Sequence, residues 1–145
     1  MTTTIKKLAV VFHPGKTLKS KLQEMGMSIK EFAVRTSKPE KTIIAVINGS
    51  SSNTTEMAVA FENVTRIPAH FWINKQRMYD EYQVRLKREE VIAQSEDWMR
   101  KFPIAELVKR NWIPECATVE EKVNALLSFF GISTQKAWED YYLNQ

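Results

Sequence analysis

The hydrophobic positions of the chain recur every three to four residues over most of its length, which is the spacing of amphipathic helices. The first clear repeat, "GKTLKSKLQEM" over residues 15–25, places Leu18, Leu22 and Met25 on one face. Gly26 follows directly, and a glycine after the last apolar position is typical of a helix C-terminus. The pattern therefore predicts a helix over residues 15–25, and similar repeats continue to the end of the chain.

Residues 27–53, "MSIKEFAVRTSKPEKTIIAVINGSSSN", contain two short helical repeats with almost nothing between them. Ser28 with Glu31 predicts a capping box at the start of the first helix, in which each side chain satisfies a backbone N–H of the other residue. Ser37 with Glu40 predicts a second capping box at the start of the next helix. Helices this short are marginal in water alone, so packing must hold them at a fixed angle. The pattern predicts a helix-turn-helix.

The second of these short helices is predicted over residues 39–47, with Pro39 in its first turn. Asn48-Gly49 ends it, because glycine tolerates the left-handed backbone found after a helix. A helix held in this way is suited to the major groove, where its N-terminal residues meet base edges. The residues expected to pack the two short helices together are Phe32, Ala33, Ile43 and Ile47.

The remaining repeats predict further helices. Asn53 with Glu56 marks the start of a fourth helix, and Pro68 begins a fifth that no residue breaks before Pro103. We expect this fifth helix to run far toward Pro103. Only "TIKKLAVVF", residues 4–12, suggests a short strand. Later helices are expected to begin near Pro103, Thr118 and Ser133.

Residues 13–79 resemble the XRE/Cro-type helix-turn-helix of HigA-type antitoxins. The matching segments are "HPGKTLKSKLQEMGMS", "KEFA", "TIIAVINGS", "TTEMAVAFENVT" and "AHFWINKQRMYD". The resemblance implies an all-α protein, in which a five-helix, lambda-repressor-like DNA-binding domain over residues 1–85 precedes a small helical domain over residues 86–145. The second domain is expected to serve dimerisation or partner binding. The chain departs from the family pattern at Ser37, where the turn usually carries glycine.

Residues 102–131 are similar to a segment of longer regulators, in which the helix-turn-helix precedes an ImmA/IrrE-type metallopeptidase. No His-Glu-x-x-His occurs in this sequence, and the histidines are His13, before a helix start, and His70. Neither these histidines nor Cys116 has companions at metal-ligand spacing, and no nucleophile–base set is recognisable. We therefore expect no enzyme activity, no metal site and no cofactor.

The resemblance and helical geometry imply a set of base-contacting residues at the predicted groove face. Lys41 is suited to donate to guanine, and Glu40 to accept from the cytosine amino group. Ile44 or Ala45 is suited to contact a thymine methyl group, and Ile29 also belongs to this face. Two structural alternatives stay open: Glu40 as a capping carboxylate, and Ile29 and Ile44 as core or partner contacts.

Charge and polar side chains add candidate phosphate contacts, which set the register of a protein on DNA. These candidates are Lys30, Thr42 and Asn48. Residues 1–80 carry a net charge of +6 and residues 81–145 carry −2, which together give the net charge of +4. A basic first half is consistent with a polyanionic ligand, and a slightly acidic second half with a different partner.

The resemblance implies a sequence-specific DNA-binding repressor, an antitoxin-like autoregulator of a toxin–antitoxin module. We expect a homodimer on an inverted-repeat operator in double-stranded DNA. A further partner is expected to be a small ribonuclease toxin or a separate metallopeptidase. The alternative is a protein-interaction module on a helix-turn-helix scaffold that has lost DNA binding, which the apolar Ile44 and Ala45 suggest.

The same sequence bears on the cellular location. No apolar run reaches the length of a membrane span, and the start of the chain lacks the features of a secretion signal. A single cysteine excludes an intramolecular disulfide and is consistent with a reducing compartment. We expect a cytoplasmic protein with no membrane partner.

Overall fold

The structure, a computed structural model, describes residues 10–144, and within that range every regular element is a helix. This confirms the predicted all-α class. Residues 10–12 have no regular structure, and the rest of the predicted strand lies outside the described residues. The helices are α1 Pro14–Met25, α2 Ile29–Thr36, α3 Glu40–Ile47, α4 Thr55–Thr65, α5 Ala69–Ala93, α6 Glu96–Met99, α7 Ile104–Lys109, α8 Val119–Phe130 and α9 Gln135–Tyr142.

The described chain divides into two compact units, residues 10–83 and residues 84–144, and the division falls within α5. Each unit has its own hydrophobic core. In the first unit, α3 packs against α1 and α2, and α2 packs against α4. Ten buried residues form the core of the first unit: Leu18, Leu22, Phe32, Ala33, Ile43, Val46, Met57, Ala58, Phe61 and Trp72.

Aromatic contacts connect three helices of the first unit. The ring centroid of Phe61 lies 5.0 Å from that of Phe32 and 5.8 Å from that of Trp72. All three side chains are completely buried. Burying a side chain of this size contributes roughly 1.5–3 kcal/mol, so these rings stabilise the arrangement of α2, α4 and α5.

The second unit is built around a larger aromatic cluster. The rings of Trp98 and Phe102 lie 5.7 and 5.6 Å from that of Trp138 on α9. Phe130 of α8 completes the cluster at 5.9 Å from Trp138. The buried core of this unit, which shares Trp98 with the cluster, consists of Ile92, Trp98, Met99, Leu107, Ile113, Val123, Leu126 and Leu127.

The start of α2 agrees only in part with the predicted capping box. The Ser28 hydroxyl accepts from the backbone N–H of Glu31 at 3.0 Å, which satisfies one free donor of the first turn. The Glu31 carboxylate does not return to Ser28 but pairs with the Nε of Arg35 at 3.0 Å. Half of the predicted box is therefore present.

The predicted capping box of Ser37 with Glu40 is wrong. Ser37 ends α2 in the left-handed conformation, with φ 53°, and α3 begins at Glu40 with Pro39 before it. A box starting at Ser37 would place Lys38 in the helix. Lys38 precedes a proline, and the proline ring disfavours helical backbone in the preceding residue.

Two other predicted helix starts are displaced. Thr54, not Asn53, caps α4 by accepting from the backbone N–H of Met57 at 3.2 Å. Thr134, not Ser133, caps α9 by accepting from the backbone N–H of Ala137 at 3.0 Å. In each case two adjacent polar residues were eligible as caps, and the sequence pattern alone does not separate them.

Helix α5 ends at Ala93, ten residues before the predicted break. The hydroxyl of Ser95 donates to the backbone carbonyl of Val91 at 3.0 Å. A serine hydroxyl that donates to the carbonyl four residues earlier slightly destabilises and bends a helix. The short helix α6 then follows and places Trp98 in the second core.

Candidate nucleic-acid interface

Helix α3 buries one side and exposes the other. Ile43 and Val46 are almost completely buried in the first core, and residues three to four positions apart share a helix face. The opposite face is therefore exposed, and Ile44 on it is 40% accessible to solvent. We call this face the α3 strip; its members are Glu40, Lys41, Ile44 and Asn48.

The other predicted site residues lie at the edge of the strip or away from it. Thr42 and Ala45 of α3 are half-buried. Lys30 is exposed on α2. Ile29 is half-buried and packs against the first core, which favours its structural alternative over a base contact.

The N-terminal end of α3 is positioned by the tight turn from α2 and by one ion pair. The Lys38 side chain is mostly buried and pairs with Glu56 in the first turn of α4. The hydrogen bond from Lys38 lowers the pKa of the Glu56 carboxyl. The start of α3 has no side-chain capping hydrogen bond, because its N-cap residue is Pro39. The charge of Glu40 in the first turn is favourable at a helix N-terminus.

The C-terminal end of α3 is closed by its own backbone. Asn48 is the last helical turn's cap residue, and Gly49 follows with φ 77°. The backbone N–H groups of Ser50 and Ser51 donate to the Ala45 carbonyl at 3.0 and 3.1 Å. This arrangement satisfies a carbonyl that the helix leaves free and requires the left-handed backbone that glycine adopts most easily.

The segment His13-Pro14-Gly15 holds α1 against the end of α3. The Nδ1 atom of His13 accepts from the backbone N–H of Gly15 at 2.9 Å and caps α1, with Pro14 as its first residue. A Cβ atom on Gly15 would lie 2.1 Å from the Val46 carbonyl oxygen. Only glycine therefore permits this contact between α1 and α3.

A buried polar chain fixes the loop that follows α3. The backbone N–H of Asn53 donates to Gln76 Oε1 at 2.7 Å, and the Asn53 amide donates to the Trp72 carbonyl at 3.2 Å. Gln76 in turn donates to the Asp80 carboxylate at 2.9 Å. Sequence reasoning missed this chain, since Asn53 lies 19 and 23 residues before its two partners on α5. The i,i+4 spacing of Gln76 and Asp80 is the one local signal.

Two exposed lysines stand near the candidate interface without an ion-pair partner in the described part of the chain, Lys30 and Lys41. Three other cations of the first unit are paired: Lys21 with Glu24, Arg35 with Glu31 and Lys38 with Glu56. Residues 10–83 contain ten Lys or Arg and seven Asp or Glu. The basic surplus of the first half is therefore smaller in these residues than over residues 1–80, which include Lys6 and Lys7.

Neither a metal site nor a membrane-spanning helix is found in the described part of the chain. Within residues 10–144 no cluster of three or more His, Cys, Asp or Glu side chains could hold a metal ion. No helix in that range is both long and apolar enough to cross a membrane.

Two solved structures to which this chain is similar are those of antidote-type proteins. Among solved structures, the chain is similar to an addiction-module antidote protein of the HigA family from Coxiella burnetii, with 26% identity and a TM-score of 0.55. The match covers 59% of this chain and 95% of that one. The chain has the fold of such antidote proteins.

A second antidote-type structure gives the same result for the fold. It is a candidate antidote protein of a plasmid maintenance system from Nostoc punctiforme PCC 73102, with 24% identity and a TM-score of 0.57. The match covers 59% of this chain and 94% of that one, so this chain extends beyond the antidote-protein fold. No protein-family model and no curated protein matches the chain.

Proposed function

We propose that the chain is a sequence-specific DNA-binding repressor, an antitoxin-like autoregulator of a toxin–antitoxin module. The observation that carries this proposal is the α3 strip, exposed on a short helix whose opposite face is anchored by Ile43 and Val46. The likeness to two antidote-type proteins supports the same class.

The strip has the chemistry for base recognition in the major groove. Lys41 is exposed and forms no ion pair with another residue of the range 10–144, so its ammonium is available to guanine O6 and N7. Glu40 is exposed in the first turn of α3 and is available to a cytosine amino group. Ile44 supplies an apolar surface for a thymine methyl group, with the half-buried Ala45 beside it.

Polar side chains around the strip are suited to phosphate contacts. Lys30 on α2, Thr42 on α3 and Asn48 at the end of α3 would set the register of the helix without reading sequence. In a homodimer, the two α3 helices would enter successive major grooves about 34 Å apart on an inverted repeat.

The remaining parts of the proposal concern partners. Residues 86–145 would provide dimerisation or bind a partner, either a small ribonuclease toxin or a separate metallopeptidase. Their separate hydrophobic core supports this role, because residues 84–144 form a compact unit of their own. The protein would act in the cytoplasm.

The proposal is tested by gel shift with the DNA upstream of the protein's own gene. Lys41→Ala should weaken binding about tenfold and reduce the preference for that DNA over a scrambled duplex, since a base contact is worth roughly 1–3 kcal/mol. Asn48→Ala should weaken binding to both duplexes alike. Lys109→Ala, which removes an exposed lysine of α7, is the matched control and should bind like the parent.

Salt provides a second readout. Binding should weaken steeply as salt rises, because phosphate contacts release counterions. Parent-like binding by both Lys41→Ala and Asn48→Ala, or an affinity that does not change with salt, would exclude the proposed docking of α3.

A protein-interaction module without DNA binding is the second candidate function. The observation in its favour is the apolar surface of the first unit: Ile44 is 40% exposed, Val34 74% and Val59 55%. Under this alternative, Ile44→Lys would abolish partner co-purification. The parent would then bind no duplex even at low salt.

A further inference from the structure

His13 is the buried histidine of the first unit, and its ring contacts three separate segments. Only 8% of the residue is exposed. Its Nδ1 atom caps α1 by accepting from the Gly15 N–H at 2.9 Å. Its ring meets the edge of Tyr79 on α5, with the centroids 5.0 Å apart.

The third segment is the turn that closes α3. A Cβ atom placed on Gly49 would lie 3.7 Å from Cγ of His13, so the ring packs directly against that turn. The Ser51 backbone also faces the ring and favours its protonated form. The cap that His13 provides also fixes Gly15, which lies against the last turn of α3. One side chain thus connects α1, the end of α3 and α5.

We propose that His13 is a positioning residue for the DNA-binding helix, whose neutral ring sets the orientation of α3 and whose protonation weakens DNA binding. The inference rests on the proposed function. It follows from the hydrogen-bond inventory of histidine: Nδ1 accepts only while it carries no proton, and the imidazolium has no acceptor atom. A proton on Nδ1 would therefore break the cap of α1 and place two N–H donors against each other.

The surroundings of the ring determine the direction of this effect. Burial lowers the pKa of His13, and this outweighs the opposing effects of the Ser51 backbone and the Asp80 carboxylate. From α5, Tyr79 and Asp80 face the ring. From α1, Lys16 is the cation closest to His13 in sequence, and its ammonium lies 4.3 Å from the Phe12 ring centre. The turn over residues 48–51 contributes no titratable side chain.

The lowered pKa fixes the sign of the pH dependence. The unfolded chain takes up a proton at His13 near the ordinary histidine pKa of 6.5, while the folded chain does so at lower pH. The stabilising contribution of the neutral ring is therefore complete above about pH 6.5. It is lost as the pH falls through the folded-state pKa. DNA affinity should fall over the same range.

The test is a pH titration of the full-length chain from pH 8 to pH 5, followed by the amide NMR signals of Gly15 and residues 47–51. DNA affinity is measured at the same pH values and constant ionic strength, with the duplex upstream of the gene. In the parent, the amides should titrate with one midpoint below 6.5. Affinity should drop by up to roughly fivefold, because the loss of one helix cap changes helix stability by about that factor and the coupling to α3 cannot exceed it.

Three variants separate His13 from other causes. His13→Asn and His13→Ser both keep a capping acceptor and remove the titration, so the amides and the relative affinity should become independent of pH. His70→Asn replaces the exposed histidine of α5 and should behave like the parent. Because there are two capping variants, His13→Asn and His13→Ser, the test can still be made if one of them does not fold.

The outcomes are distinguishable. Amides of residues 47–51 that still titrate in both His13 variants would overturn the inference, as would loss of the titration in His70→Asn. Amides that titrate through His13 while affinity stays constant would also overturn it. If the parent binds no duplex at any pH, the proposed function fails, and the amide titration alone decides whether His13 is coupled to α3.

Discussion

Gly15 shows how one small residue can determine where a short helix such as α3 is held. It belongs to the first turn of α1, yet the atoms nearest to its missing side chain are backbone atoms of α3. The sequence indicates only a helix start at this point, because Pro14 and Gly15 are ordinary residues for that position. The packing role comes from a contact between residues about thirty positions apart.

We predict that Gly15→Ala destabilises the first unit by about 1–3 kcal/mol, the usual cost of overpacking a close-packed site. The added methyl group would lie 2.1 Å from the Val46 carbonyl oxygen, so the backbone of α1 or α3 must move. Urea denaturation followed by NMR signals of residues 10–83 measures this loss.

Gly26→Ala is the matched control for this substitution. Gly26 has φ 63° and no atoms within 4 Å of an added Cβ, so that change should cost only the left-handed strain of about 1 kcal/mol. If Gly15→Ala were as stable as the parent, the close packing of α1 on α3 would be wrong.

The residues of the candidate site differ in how well the sequence predicts them. Exposure of Lys41, Ile44 and Asn48 follows from helical spacing once Ile43 is assigned to the core. The partial burial of Ile29 does not follow, because an isoleucine at the first position of a helix can lie on the buried or on the exposed face. The chain from Asn53 to Asp80 is invisible in the pattern, since the loop and α5 meet only in the folded unit.

The turn between α2 and α3 carries a strained residue. Ser37 adopts φ 53°, a conformation that costs a residue with a side chain roughly 1–2 kcal/mol relative to right-handed backbone. The antitoxin helix-turn-helix pattern that residues 13–79 resemble usually has glycine at this position. The structure gives the reason, since Ser37 ends α2 in the left-handed region.

We predict that Ser37→Gly stabilises the first unit by about 0.5–1 kcal/mol. Glycine removes the left-handed strain but loses more backbone entropy on folding, so the gain is smaller than the strain itself. Thermal and urea denaturation of the full chain measure the difference.

Ser20→Gly provides a control of opposite sign. Ser20 is exposed within α1, so glycine there should destabilise the unit, as it does in the interior of other helices. A destabilising effect of Ser37→Gly would contradict the left-handed assignment of the turn.

Helix boundaries show where sequence patterns reach their limit. The pattern located most helices, and its errors arise where two polar residues compete as caps, as with Asn53 and Thr54, or where no helix breaker is present, as at the end of α5. That helix ends where the Ser95 hydroxyl donates to the Val91 carbonyl and where Trp98 enters the second core. Tertiary packing of this kind overrides local propensity.

Two separate cores imply that the two parts of the chain respond separately to core mutations. Phe61 is completely buried in the first core and Leu126 in the second. Removing such side chains costs about 2–5 kcal/mol. We predict that Phe61→Ala accelerates amide hydrogen exchange mainly in residues 10–83, and that Leu126→Ala does so mainly in residues 84–144.

Each variant serves as the control for the other, because both remove a large buried side chain from one core only. Equal acceleration throughout the chain in both variants would show a single cooperative unit. It would also remove the basis for assigning DNA binding and partner binding to different parts of the protein.

The most direct measurement is an NMR titration of the isotope-labelled chain with the duplex upstream of its gene. The proposed docking of α3 predicts that the largest amide shifts occur at the α3 strip and at Lys30. These shifts should be weaker for Lys41→Ala and unchanged for Lys109→Ala. No shifts at low salt, or shifts confined to residues 84–144, would contradict DNA binding through α3.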